Sequence, residues 1–92
     1  MIVRARLVVR GRVQGVWYRG SMQEEARRLH VAGWVQNEAD GSVVAEVEGE
    51  RKAIDGVVAW ARQGPPGARV LDVEIAWLTP TGTEQRHFAI RR

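Results

Sequence analysis

The stretch Val3–Leu29, VRARLVVRGRVQGVWYRGSMQEEARRL, changes its hydrophobic period part-way along, and the change decides the fold. Val3, Ala5, Leu7 and Val9 alternate with Arg4, Arg6, Val8 and Arg10, which makes one face of an extended chain apolar. This predicts a strand with one buried face, ended by Gly11, with Gln14-Gly15 marking a tight loop after it. Met22, Ala26 and Leu29 then recur at i, i+4 and i+7, the spacing of a helix with one apolar stripe. Ser21-Met22-Gln23-Glu24 fits a capping box at the helix start, Ser21 accepting from a free backbone N–H and Glu24 reaching back. Glu24 and Glu25 near that start, with Arg27, Arg28 and His30 near the end, suit the helix dipole.

Outward from this unit the same two periods repeat. Gly33 to Asn37 reads as a second strand and Val43 to Glu48 as a third, with Asp40-Gly41 between them as a hairpin turn. Ile54, Val57, Val58 and Ala61 give a second amphipathic helix, stopped by Gly64 and Pro65-Pro66. Leu71, Val73, Ile75 and Trp77 alternate as a fourth strand, and Trp77, ending that apolar face, is expected in the core. Phe88 and Ile90 mark a short last strand. The order β-α-β-β-α-β plus one strand predicts an α+β sandwich, ferredoxin-like in style, with one antiparallel sheet and both helices on one face. Residues 1–92 read as one domain, since so short a chain has no room for a second core.

Composition narrows the function classes. Without cysteine there is no disulfide, thiolate nucleophile or cysteine metal site. His30 and His87 lie far apart with no ligand spacing around them, so no metal is expected. His30 is assigned to the helix end and His87 to the solvent. No apolar run approaches the ~20 residues of a membrane span, and the charged, alternating N-terminal stretch is unlike a signal peptide. A cytoplasmic protein without membrane association is the expectation, with a monomer as the default at this size. The net charge of +3 favours an anionic partner without choosing among nucleic acid, membrane surface and phosphorylated metabolite. Thirteen arginines against the single Lys52 suit phosphate, whose oxygens a guanidinium forks onto, but a GC-rich genome writes the same bias.

The stretch Gly11 to Arg19 runs from the first strand toward the first helix. Such a junction offers unpaired N–H groups at the positive end of a helix dipole, which attract phosphate. Gly15 lets the backbone approach a ligand closely, and Arg19 brings a charge able to hold two phosphate oxygens at once. There is no G-x-x-x-x-G-K-[ST], and on physics alone such a junction is more often a connector than an anion site. Asn37, the only asparagine, is open between a turn role and a functional one, although Asp40-Gly41 already supplies the turn. Of Trp17 and Tyr18, one is expected to pack under the loop and the other to lie at the surface. Glu46, Glu48 and Glu50 recur at strand spacing and read as a solvated face.

The run Gly11-x-Val13-Gln14-Gly15-Val16-x-Tyr18-Arg19 resembles the first signature of the acylphosphatase family. Gly33-Trp34-Val35-Gln36-Asn37-x-x-Asp40-Gly41-Ser42-Val43 resembles its second. Phe88-Ala89-Ile90-Arg91 is similar to the family's ending, and Gly64-Pro65-Pro66 with Val70 to its loop before the fourth strand. The resemblance implies a ferredoxin-like fold, hydrolysis of acyl phosphates and no cofactor. It places the phosphate-binding arginine on Arg19 and the water-positioning asparagine on Asn37. It places the substrate-binding loop on Gln14, Gly15, Val16, Trp17, Tyr18 and Arg19, acting mainly through backbone N–H groups.

The residue types agree with that chemistry. An amide such as Asn37 takes no proton at neutral pH and only orients a water. No general acid accompanies the pair. A carboxylate leaving group, with a conjugate-acid pKa of about 4, departs without one, whereas an alkoxide needs one. Two other readings share the strand order: an RNA-binding module and a catalytically inactive phosphate-binding domain. The first needs aromatics on the two central strands, and neither Val3–Arg10 nor Val43–Glu48 has any, so no nucleic-acid partner is expected.

Overall fold

The computed structural model describes residues 1–82 and 87–92. Its elements run β1 (Ile2–Arg12), α1 (Tyr18–Arg28), β2 (Ala32–Asn37), β3 (Val43–Glu50), α2 (Arg51–Gln63), β4 (Arg69–Leu78) and β5 (Phe88–Arg91). The sheet order is β4-β1-β3-β2-β5. The four strands of the predicted ferredoxin-like sandwich pair antiparallel, and β5 adds to β2 in parallel, so the complete sheet is mixed. Among the described residues no helix is long and apolar enough to cross a membrane.

The core follows the period-2 face seen in the sequence. Ala5, Leu7 and Val9 of β1 are fully buried, as are Val43, Ala45 and Val47 of β3. Onto that face pack Met22 and Ala26 from α1 and Ile54, Val57 and Ala61 from α2. Burying a side chain of the Val, Leu or Ile class contributes roughly 1.5–3 kcal/mol each.

Several expectations change on contact with the tertiary structure. Gly11 does not end β1. The strand continues to Arg12 because the ladder with β4 slips by one residue between Arg10 and Gly11, where Arg10 faces Asp72 but Gly11 faces Val70. Leu71 is the extra residue of this β-bulge, which reverses the side-chain parity of β4. Val73 and Ile75 therefore pack on the core, Val70 takes over beyond the bulge, and Leu71 is turned out, 77% exposed. Trp77 is not a core residue either. It is half exposed on the edge strand, and the Arg51 guanidinium stacks 4.4 Å from its ring centre.

The helix start differs for a related reason. α1 begins at Tyr18, so Ser21 and Glu24 lie inside it and make no capping box. Tyr18, Met22 and Ala26 extend the apolar stripe one turn further, and all three are buried. Burial of a tyrosine outweighs a side-chain cap, which is worth about 1 kcal/mol. Only the basic half of the predicted dipole pattern remains: Arg27 and Arg28 occupy the last turn, and the first turn holds no acid.

Of the acidic residues of β3, Glu50 is exposed as expected, but Glu46 and Glu48 are not part of a solvated face. Glu48 is buried at 4% exposure, and its carboxylate accepts from Arg4 at 3.0 Å and from the Thr81 backbone N–H at 2.8 Å. Glu46 accepts from Arg4 at 2.8 Å and from Arg6 at 3.0 Å. Desolvation is the largest influence on both carboxyls and opposes their ionisation. The arginine and Thr81 hydrogen bonds, with the arginine charges, outweigh it together and hold both pKa values below the usual 4.5. These pairs lie on the sheet face away from the helices, because Arg4 faces Glu48 and Arg6 faces Glu46 in the β1–β3 register.

Candidate active site

The β1–α1 loop is held from below and from the side. Val13 is buried in the core, and Gln14 reaches across to the β2–β3 hairpin, its Nε2 donating to the carbonyls of Glu38 at 2.8 Å and Ser42 at 2.9 Å. The hairpin is itself closed by Asp40, whose carboxylate accepts from the Ser42 N–H at 2.9 Å and hydroxyl at 2.6 Å. Those bonds lower the Asp40 pKa. Gly15 has φ +77, and nothing lies within 4 Å of where a Cβ would sit. Glycine is needed there for its backbone angle, and the space in front of it is open.

Trp17 and Tyr18 divide as expected. Tyr18 is buried at 2% exposure beneath the loop and packs against Trp60 in a tilted arrangement, 5.2 Å between ring centres. Its hydroxyl donates to the Ala61 carbonyl at 2.7 Å, and burial raises its pKa far above the ordinary value. Trp17 is 71% exposed and stands at the N-cap of α1 with φ 63, ψ 30 and no side-chain capping bond. That left-handed conformation costs an L residue about 1–2 kcal/mol. The first intrahelical bond runs from the Ser21 N–H to the Trp17 carbonyl at 3.0 Å. The N–H groups of Tyr18, Arg19 and Gly20 thus precede the helical ladder, the unpaired set that begins every helix.

Arg19, half-buried on the first turn of α1, donates from Nη1 to the Arg91 carbonyl of β5 at 3.2 Å. Gln23, one turn on, donates to the Phe88 carbonyl at 2.8 Å and secures the same strand. Arg91 in turn stacks its guanidinium 4.3 Å from the centre of the Trp34 ring.

These elements enclose a cleft of about 350 Å³. Gln14, Gly15, Trp17, Tyr18 and Arg19 line it from the loop and helix, and Asn37 lines it from the end of β2. Asn37 Oδ1 is buried and accepts no hydrogen bond from any described residue. A buried amide oxygen without a donor costs about 1–3 kcal/mol, and the residue that carries this one lines the cleft. Val16 is the one predicted loop residue that does not line the cleft; its side chain packs on the core.

Sequence reasoning missed four of the lining residues: Val13, Gly20, Ile90 and Arg92. Gly20 carried a signal, because a glycine inside an amphipathic helix needs a reason. The reason is Trp17, whose indole Cε2 and Cζ2 would lie 2.2 and 2.3 Å from a Cβ at position 20. Ile90 and Arg92 carried none, since they reach the cleft only through the parallel pairing of β5 on β2. Neither histidine lines the cleft, and His87 is exposed as expected. Among the described residues no three His, Asp or Glu side chains are grouped as a metal site.

The Acylphosphatase family model matches residues 5–90 of this architecture. The chain belongs to the acylphosphatase family. An acylphosphatase of Anaeromyxobacter dehalogenans is 59% identical over 80 residues, covering 87% of this chain and 86% of that protein. Two solved acylphosphatase structures share the fold. The one from Coxiella burnetii superposes with a TM-score of 0.91 at 32% identity, covering 98% of this chain and 93% of that one. The one from Bacillus subtilis gives 0.88 at 35% identity over the whole of both chains. Acylphosphatases act on a small acyl phosphate, and the cleft of this member is a mainly neutral pocket with Arg19 and Arg92 as its charged lining.

Proposed function

We propose that this acylphosphatase cleaves the carboxyl–phosphate bond by direct attack of water, without metal or cofactor. Arg19 and the loop N–H groups hold the phosphoryl oxygens, and Asn37 orients the water. The observation that carries this reading is the convergence of Arg19 and Asn37 on one cleft, with Asn37 Oδ1 left without a hydrogen-bond partner among the described residues. An amide oxygen free to accept is what a water needs in order to be held by one hydrogen while its lone pair points at phosphorus.

In the reaction, the water oxygen bonds to phosphorus as the bond from phosphorus to the bridging oxygen breaks. The carboxylate departs with that electron pair. One water proton passes to a phosphoryl oxygen of the substrate, so that the products are carboxylate and inorganic phosphate. Hydrogen bonds to charged oxygens are worth about 1.5–3 kcal/mol each, and donors fixed in place act on the transition state without reorganising. The lack of an acid in the first turn of α1 and of a side-chain cap supports phosphate at that helix end, since either would compete for the same N–H groups. A carboxylate leaving group needs no proton, which suits a cleft lined by no Asp, Glu or His side chain among the described residues.

A small molecule is the partner this reading requires. The sheet face on which an RNA-binding module stacks bases carries the Arg4, Arg6, Glu46 and Glu48 ion pairs instead, which disfavours nucleic acid. A cytoplasmic monomer acting in solution completes the proposal.

The test is hydrolysis of benzoyl phosphate with EDTA present, by the parent protein and by Arg19→Ala and Asn37→Ala, with p-nitrophenyl phosphate as the control. Turnover that survives EDTA and falls at least ~100-fold in both folded variants is the expected result. Full activity in Asn37→Ala would remove the role assigned to it.

A further inference from the structure

We propose that Trp17 is the acyl-recognition platform of the cleft and gives this enzyme a preference for acyl phosphates with a flat or apolar acyl group. The proposal rests on the placement of phosphate at Arg19 and the loop amides, and adds what holds the rest of the substrate.

Three observations meet at this residue. Trp17 is an exposed tryptophan that lines the cleft two positions from Arg19. Its neighbours Val16 and Tyr18 both pack on the core, so the loop has buried the apolar groups beside it and left the largest one out. Its backbone is left-handed, a conformation that glycine adopts freely two residues earlier at Gly15. A loop that served only to connect β1 to α1 would favour glycine at position 17 on both counts. Strain and exposure retained together in a cleft wall point to a task for the side chain.

The indole is also held in place. Its Cε2, Cζ2 and Nε1 atoms rest over Gly20, where a Cβ would come within 2.2, 2.3 and 2.7 Å of them. Only glycine leaves room for the ring against the first turn of the helix. The ring thus rests against Gly20 and leaves most of its surface open, at 71% exposure. Phosphate held at Arg19 leaves the acyl group one bridging oxygen away, in a cleft that Trp17 also lines. Arg19 and Asn37 have nothing to offer an apolar acyl group; Trp17 does.

Stacking of this kind acts alike on ground state and transition state, so it is read in KM and leaves kcat nearly unchanged. The experiment compares benzoyl phosphate with acetyl phosphate in the parent, Trp17→Ala, Trp17→Phe and Gly20→Ala, and measures inhibition by inorganic phosphate in each. Trp17→Ala is expected to raise KM for benzoyl phosphate about tenfold more than KM for acetyl phosphate, a difference of about 1.4 kcal/mol between the two substrates. Trp17→Phe retains most of the preference, and Gly20→Ala, which displaces the ring, loses it. Equal losses on both substrates, or weaker phosphate inhibition in Trp17→Ala, would overturn the proposal in favour of a loop-shaping role.

Binding of benzylphosphonate against methylphosphonate by calorimetry gives a readout independent of turnover. A parent that fails to hydrolyse either substrate but binds benzylphosphonate more tightly, through Trp17, would defeat the catalytic reading and leave the platform standing. A parent that binds the two phosphonates equally would defeat the platform.

Discussion

The hydroxyl of Tyr18 donates to the carbonyl of Ala61 at 2.7 Å, tying the first residue of α1 to the last turn of α2. The helical partner of that carbonyl would be the N–H of residue 65, and residue 65 is a proline with none to give. Tyr18 supplies the missing donor, and in doing so fixes the residue between Trp17 and Arg19.

Tyr18→Phe should therefore lose about 1–3 kcal/mol of stability, the cost of leaving the Ala61 carbonyl buried without a donor. Urea unfolding measures it. Activity of the folded variant should be close to that of the parent, because the lost group faces α2 and not the substrate. An unchanged midpoint would mean that the hydroxyl contributes nothing net.

Arg19→Lys separates charge from geometry. A guanidinium can grip two phosphate oxygens while still donating to the Arg91 carbonyl, which an ammonium on a flexible stem does not reproduce. The lysine variant should remain at least ~10-fold below the parent in kcat/KM, with inorganic phosphate inhibiting it more weakly. Near-complete rescue by lysine would reduce the role of Arg19 to its charge alone.

The pH–rate profile of kcat should be flat between about pH 6 and pH 9, above the carboxylate range and below the phenolic one. Among the described residues no Asp, Glu or His side chain lines the cleft, and burial carries the Tyr18 phenol upward out of this window. A limb with an apparent pKa near 7 would reveal a protein base and refute proton transfer to the substrate's own phosphate.

Acid should destabilise the protein through Glu46 and Glu48. Both pKa values are lower in the folded state than the ordinary 4.5, so folding favours the ionised forms. Their stabilisation is complete above about the unfolded value and is lost as pH falls through the lower folded values. Glu48→Ala should cost about 3 kcal/mol at neutral pH, toward the low end for a broken buried pair because Arg4 keeps Glu46. The difference between parent and variant should shrink on acidification, which unfolding midpoints across pH 2–7 would follow.

Much of this architecture was legible in the periodicity, because the buried faces of β1, β3 and α2 are local patterns that tertiary contacts merely confirm. What escaped was set by residues far away in sequence. The early start of α1 depends on Tyr18 meeting Trp60 and Ala61, some forty residues later. The outward turn of Leu71 belongs to the β1–β4 ladder and not to β4 alone. The solvated look of Glu46 and Glu48 dissolves once Arg4, Arg6 and Thr81 are brought against them. In the cleft, Arg19 and Asn37 were legible through their signatures, and both line it. Ile90 and Arg92 were not, because nothing local announces that β5 will lie beside β2.

Gln14 has a consequence for how the enzyme responds to heat. Its two hydrogen bonds join the loop that leads to Arg19 to the hairpin that follows Asn37, so the two halves of the cleft are tied directly to each other. In Gln14→Ala they would drift independently as temperature rises, and reaction would require a coincidence of two motions instead of one. Such a variant should lose turnover on warming well before its fold melts, its thermal optimum parting company with its Tm.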